Sequence, residues 1–129
     1  MMRRPARPAA LRLCDIGGPA PGEQLCKASD LEEQRAITLT CGAGHGQREV
    51  FLMAHGDGVV AYLNDCPHRH LPLNFHPDRF LDRQGQFILC TNHIALFRIE
   101  DGYCVDGPCP GQWLTPVAVC VEGDRVLAG

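Results

Sequence analysis

Two short segments of the chain place a cysteine and a histidine at the spacing of metal ligands. Cys66-Pro67-His68 gives C-x-H, and Cys90-Thr91-Asn92-His93 gives C-x-x-H further along the chain. Two thiolates and two imidazoles are ligands of the type that bind zinc or iron in proteins. A spacer of one or two residues in a turning loop lets one sulfur and one nitrogen reach metal atoms a few ångströms apart. The pair therefore predicts a metal site formed by Cys66, His68, Cys90 and His93.

Short apolar runs bounded by turn residues surround both segments and predict β-strands. No stretch after residue 36 keeps a helical period for three turns, and turn signals at Asp57-Gly58, 100–102 and 122–124 separate several of the runs. We therefore expect an all-β, antiparallel domain. The predicted strands are residues 37–39, 50–54, 59–63, 87–89, 96–99, 117–121 and 125–127.

Two segments that lack the strand pattern, residues 66–86 and 106–116, predict long loops. Long loops inside a compact domain are usually functional, and the first of them begins at Cys66. Residues 1–32 are rich in proline and glycine and predict a mostly irregular lead-in, with one short helical turn at 29–32. The folded domain is expected to span residues 33–129.

Composition narrows the class of protein. A chain of 129 residues with 45% hydrophobic content suits one globular domain, and eight cysteines are too few for a small disulfide scaffold. A net charge of -3 without a basic block predicts neither nucleic-acid binding nor attraction to anionic lipid. No apolar run follows Arg3-Arg4 as in an export signal, and none is long enough to span a membrane, so we expect a cytoplasmic protein.

Taken together, the two ligand segments and the residues near them resemble the Rieske ferredoxin family. The resemblance covers roughly residues 33–129. It rests on Cys66-Pro67-His68-Arg69 with Leu71-Pro72, Cys90-x-x-His93 with Leu96-Phe97, the Asp101-Gly102 turn and Gly107-Pro108.

The resemblance implies an antiparallel Rieske-like base domain with a smaller cluster-binding subdomain. The subdomain would consist of loops at about 66–71, 90–97 and 107–111. It would hold one [2Fe-2S] cluster, with one iron bound by Cys66 and Cys90 and the outer iron bound by His68 and His93. Ile94 departs from the family, which usually has glycine after this histidine, so the backbone angles of this turn are expected to differ.

The remaining cysteines and histidines are assigned other roles. Cys120 alternates with two valines and is predicted to be a buried core thiol. Cys14, Cys26 and Cys41 show no ligand spacing and are expected to be free, whereas a pairing of Cys104 with Cys109 stays open. The other histidines are expected to be solvated polar residues, and they are His45, His55, His70 and His76.

The resemblance implies an electron carrier rather than an enzyme. Such a protein passes single electrons from a flavin- or iron-sulfur-containing reductase to a terminal oxygenase or similar acceptor. Two alternatives remain: a zinc-binding interaction module that uses the same four ligands, and a small iron-sulfur subunit of a multi-subunit oxidoreductase. An oxygenase would also need a mononuclear iron site, and the remaining histidines share no element that would build one.

Overall fold

The computed structural model describes residues 6–67, 72–73, 80–91, 94–107 and 111–129. The described strands form three antiparallel sheets of three strands each, in the orders β1-β9-β8, β2-β3-β4 and β5-β6-β7. The prediction of an all-β, antiparallel fold is confirmed. The elements are β1 (Gln24–Lys27), α1 (Ala28–Gln34), β2 (Ala36–Cys41), β3 (Arg48–His55), β4 (Gly58–Leu63), β5 (Phe87–Cys90), β6 (Ala95–Arg98), β7 (Cys104–Asp106), β8 (Val119–Glu122) and β9 (Arg125–Ala128).

Each predicted strand overlaps an observed strand, but some of the boundaries differ. The run at 117–121 pairs as a strand only from Val119, because Val117 forms a bridge with Leu11 instead. The turn predicted at Asp57-Gly58 lies one residue earlier, since His55 pairs with Gly58 and Gly56 takes the positive φ of +59°. Strands β1 and β7 were not predicted: β1 lies in the segment expected to be an irregular lead-in, and β7 has only three residues.

The described part of the lead-in, residues 6–32, packs against the sheets. The backbone of Leu11 bonds to Pro116 and Ala118, and Leu13 in the following 3-10 turn is fully buried. Helix α1 contains the turn predicted at 29–32, and it crosses the predicted domain boundary between residues 32 and 33. At seven residues α1 is the longest helix of the described chain, and none there has the length and apolar character that a bilayer span requires.

Strand β3 separates two buried clusters of side chains. Val50 and Leu52 point into a cluster that also contains Leu13 and Val126, so this cluster joins the lead-in and β9 to the middle sheet. Phe51 and Met53 point the other way. They pack in a second cluster with residues of β5, β6 and β7 and with both candidate cysteine ligands, which we call the site cluster. Because side chains alternate between the two faces of β3, this one strand contributes to both buried clusters.

The turn between β6 and β7 is anchored to β4 by a buried tyrosine. Tyr62 is 1% exposed, and its hydroxyl donates a 2.6 Å hydrogen bond to the backbone oxygen of Ile99. Gly102 takes a φ of +77° under the ring, and a Cβ there would lie 2.8 Å from Tyr62 Cε1. Burial raises the pKa of Tyr62 to about 12, although the charge and hydrogen bond of Arg7 partly offset the effect.

We predict that Tyr62→Phe removes one component of the alkaline unfolding. The unfolded tyrosine ionises near its ordinary pKa of about 10, whereas the folded one resists until about 12. Its contribution to stability is therefore complete below about pH 10 and is lost as the pH rises toward 12. The measurement is the free energy of unfolding from pH 8 to pH 12 in both proteins. The variant should start lower, since the hydrogen bond is gone, and should lose less across this range; parallel curves would contradict the prediction.

A glycine directly after β7 packs closely against the start of β6, at the end of the sheet nearest the candidate ligands. Gly107 follows β7 with a φ of +108°, and a Cβ there would lie 2.6 Å from Ala95 Cα. The side chain of Asp106 accepts a 2.9 Å hydrogen bond from the Gly107 amide and holds the turn. The predicted third loop at 107–111 thus begins in direct contact with the start of β6.

We predict that Gly107→Ala destabilises the protein more than Gly22→Ala. Gly22 has a comparable φ of +89°, but a Cβ there meets nothing within 4 Å. The control variant therefore carries the backbone strain alone, about 1–2 kcal/mol. Gly107→Ala adds a collision with backbone and should lose about 1–3 kcal/mol more. Urea unfolding of both variants measures the difference, and equal losses would show that the close approach to Ala95 is not tight.

Candidate metal centre

The two candidate cysteine ligands lie at the ends of different segments and are both buried. Cys66 follows β4 by three residues and is 1% exposed, and Cys90 is the last residue of β5 and is 0% exposed. Both belong to the site cluster, together with Leu73, Ala95 and Phe97. The fold therefore brings the two predicted sulfur ligands into one apolar region, although the 23 residues 67–89 separate them in the sequence.

Strand alternation points the Cys90 thiol inward. In β5, Ile88 and Cys90 are buried while Phe87 and Leu89 are half-buried, as expected for a strand with one face on the core. Cys90 pairs with Ala95 across the ladder, so the second predicted ligand loop is the connection of a β-hairpin. Within the described part of the chain, no hydrogen bond occupies the Cys90 sulfur.

The backbone of Leu73 forms hydrogen bonds with residues next to both candidate cysteine ligands. The Leu73 amide donates a 2.7 Å hydrogen bond to Asn64 Oδ1, two residues before Cys66. The Leu73 carbonyl accepts hydrogen bonds of 2.8 Å each from the amide and the hydroxyl of Thr91, one residue after Cys90. Leu73 thus contacts the starting points of both ligand loops.

Asn64 is also anchored to the middle sheet. Its side-chain amide donates to Glu49 Oε1, and its backbone amide donates to the Glu49 carbonyl, each at 2.8 Å. Asn64 is 8% exposed, and among the described residues it is the only polar one that is buried. Asn64, Leu73 and Thr91 were not predicted to take part in the site. Nothing in their types or spacing marks them, because their hydrogen bonds join distant parts of the chain.

The residue after His93 has an unusual backbone conformation. Ile94 takes a φ of +54°, in the left-handed region that β-branched residues rarely adopt, and it is 72% exposed. Ile94 itself has a φ that favours glycine, so the expected change of backbone angle is not seen at this residue. Residues 92–93 of the turn lie outside the described residues, and for them the expectation stays a prediction.

The two predicted histidine ligands, His68 and His93, lie outside the described residues. So do His70, His76 and Cys109, whose expected roles stay predictions. Of the other histidines, His45 and His55 are exposed, as predicted.

The other cysteines take the expected state with one exception. Cys14, Cys26 and Cys41 are free, which confirms the prediction, and burial raises the pKa of the Cys41 thiol so that it stays protonated near neutral pH. Cys120 was predicted to be a core thiol, and this is wrong: it is exposed. Its strand β8 is at the edge of the sheet, where the alternating pattern does not imply cover on either face.

Comparisons with known protein families and with solved structures agree on one family. The model of the Rieske [2Fe-2S] domain matches residues 23–121. No curated protein matches the chain in sequence. Solved structures share its fold: the ferredoxin of carbazole 1,9a-dioxygenase from Nocardioides aromaticivorans IC177 is 22% identical with a TM-score of 0.63, and the alignment covers 84% of this chain and 97% of that one.

Two further structures give similar values. The Sphingomonas yanoikuyae B1 ferredoxin is 20% identical with a TM-score of 0.59, over 83% of this chain and 96% of that one. A putative nitrite reductase NADPH small subunit is also 20% identical with a TM-score of 0.59, over 84% and 98% of the two chains.

The residues present fit the group that this family binds. A Rieske centre takes two cysteine sulfurs and two histidine nitrogens. The described part of the site supplies two buried thiols in one apolar cluster, and soft sulfur donors shielded from water suit iron. The chain belongs to the Rieske [2Fe-2S] domain family, and its cofactor is a [2Fe-2S] cluster.

Proposed function

We propose that this protein is a ferredoxin that carries single electrons, and that Cys66, His68, Cys90 and His93 hold its cluster. One observation carries the proposal. Both cysteines are essentially unexposed, whereas Ile94, four residues after Cys90 and directly after His93, is 72% exposed. The chain therefore runs from the interior to the surface across the second ligand loop, which supports buried sulfur ligands and histidine ligands near the surface.

The described residues of the chain prepare the site in two ways. A bound [2Fe-2S] cluster supplies a one-electron redox centre. The apolar side chains around Cys66 and Cys90 exclude water from the sulfur side, and low solvent exposure is one of the factors that tune such centres. The β5–β6 ladder fixes the backbone on both sides of the second loop. We propose that electrons are exchanged with a partner on the side of the exposed Ile94, the residue that follows His93 in the sequence.

We further propose that the donor is a reductase and the acceptor a terminal oxygenase. The similar structure from Nocardioides is the ferredoxin of carbazole 1,9a-dioxygenase, and the match covers nearly all of that chain. A second candidate is a small subunit of a larger oxidoreductase, which the similarity to a nitrite reductase small subunit favours. A carrier would transfer electrons as an isolated protein, whereas a subunit would do so only within its complex.

We propose that the protein works in the cytoplasm. Cys14 and Cys120 are exposed free thiols, and both would be open to oxidation in an oxidising compartment.

We predict that the purified holoprotein contains two irons and accepts one electron per chain. A colorimetric iron assay measures the iron content, and titration with dithionite, followed by electron paramagnetic resonance and visible absorption, measures the electrons accepted. A colourless protein that contains zinc would favour the interaction module instead. With NADH and a flavin-dependent ferredoxin reductase, the holoprotein should speed the reduction of cytochrome c, while the protein stripped of iron should not.

The ligand set is tested by single substitutions. Cys66→Ser, Cys90→Ser, His68→Ala and His93→Ala should each lose the cluster, because each leaves an iron without one ligand. Cys120→Ser is the matched control, since Cys120 is an exposed thiol on β8, and it should keep full iron content and colour. Retention of the cluster in Cys66→Ser or Cys90→Ser would contradict the assignment.

A further inference from the structure

We propose that Asn64 and Thr91 are positioning residues that lock the two cysteine loops together through the backbone of Leu73. We call this set of hydrogen bonds the Leu73 tie. The proposal rests on the ligand set proposed above. It adds residues that bind no metal and that no pattern in the sequence indicates.

The geometry of the tie is specific to the two loops. On one side, the Leu73 amide donates to Asn64 Oδ1 at 2.7 Å. On the other, the Leu73 carbonyl accepts from both donors of Thr91 at 2.8 Å. Asn64 lies two residues before Cys66 and Thr91 lies one residue after Cys90. The backbone of one residue therefore fixes the position of both thiols.

Burial makes these hydrogen bonds strong constraints. Leu73 is 0% exposed and packs in the site cluster with Cys66 and Cys90. A polar group in such surroundings that loses its partner cannot turn to water, so opening the tie leaves unsatisfied donors and acceptors. The bonds of Asn64 to Glu49 extend this constraint to β3, so that the tie is anchored in the middle sheet.

The tie connects two parts of the chain that no strand pairing connects. Strands β4 and β5 belong to different sheets, so no strand pairing connects the chain before Cys66 with the chain around Cys90. A cluster held by both loops requires a fixed distance between them, and displacement of either thiol strains or opens a metal-ligand bond. The hydrogen bonds of the Leu73 tie fix the distance between the two loops.

The experiment compares cluster loss in the unmodified holoprotein, in four single variants and in the double variant Asn64→Ala/Thr91→Val. Thr91→Val removes the hydroxyl donor and keeps the shape, and Thr91→Ser keeps the donor. Thr38→Val is the matched control on β2, and Asn64→Ala removes the other half of the tie. The measured quantity is the rate at which visible absorption bleaches after an iron chelator is added.

The tie predicts a clear order of rates. Thr91→Val should bleach about fivefold faster than the unmodified protein, the factor expected for one net hydrogen bond. Thr91→Ser and Thr38→Val should remain within about twofold of it. Asn64→Ala should be faster than Thr91→Val, because the buried Leu73 amide loses its acceptor. In the double variant the effect of Thr91→Val should shrink, since Leu73 is already released.

Two readouts separate positioning from general stability. The electron paramagnetic resonance spectrum of the reduced Thr91→Val protein should shift or broaden, because the sulfur ligands move, while that of Thr38→Val should not. Amide hydrogen exchange at Leu73 should become faster in Thr91→Val and Asn64→Ala. An unchanged spectrum with unchanged bleaching in Thr91→Val, or strictly additive effects in the double variant, would overturn the tie.

The outcomes also separate the tie from the proposed function. If the unmodified protein held no [2Fe-2S] cluster, or if Cys66→Ser kept it, the ligand assignment would fail, and hydrogen exchange at Leu73 would still decide whether the tie exists. If the unmodified protein held the cluster and Thr91→Val exchanged and bleached as the control does, the tie alone would fail. Should Asn64→Ala not fold, Thr91→Val and Thr91→Ser carry the test.

Discussion

Strand β3 is buried on both of its faces. The register of this strand determines which of its side chains pack in each of the two buried clusters. Its residues 50–53 form an unbroken apolar run, as in strands that have cover on both sides. Val50 and Leu52 face the cluster of the lead-in and β9, whereas Phe51 and Met53 face the site cluster. A slip of one residue would exchange the two faces, so pairing with β2 and β4 fixes both layers at once.

From β3, a short series of contacts leads to the second candidate sulfur ligand. The ring of Phe51 stacks on Phe80, with 4.2 Å between the ring centres. The Phe80 carbonyl accepts a 2.7 Å hydrogen bond from the amide of Leu89, the residue before Cys90. The position of the Cys90 thiol thus follows from packing on the central strand as well as from pairing with β6. Cys66 has no strand of its own, and this is why the contacts of Leu73 with both loops have structural weight.

The parts of this structure that the sequence predicts are those encoded over short distances. The strand runs and the C-x-H and C-x-x-H segments depend on local residue type and spacing, and the strand predictions were confirmed. The hydrogen bonds at Leu73 could not be predicted, because they join residues 9 and 18 positions apart that are neighbours only in the folded chain. Cys120 was placed wrongly for a related reason: alternation reveals a strand, but not whether that strand lies at an edge.

The turn at Ile94 shows how rigid the surrounding hairpin must be. A left-handed conformation costs an L-residue about 1–2 kcal/mol, and at 72% exposure the isoleucine regains little by burial. Such a conformation persists only where neighbouring structure determines it. Here Cys90 pairs with Ala95 across the turn, Gly107 packs on Ala95, and Thr91 is held by Leu73. These contacts hold the described residues on both sides of the turn, at the end of β5 and at the start of β6, and the left-handed conformation falls on the exposed Ile94 between them.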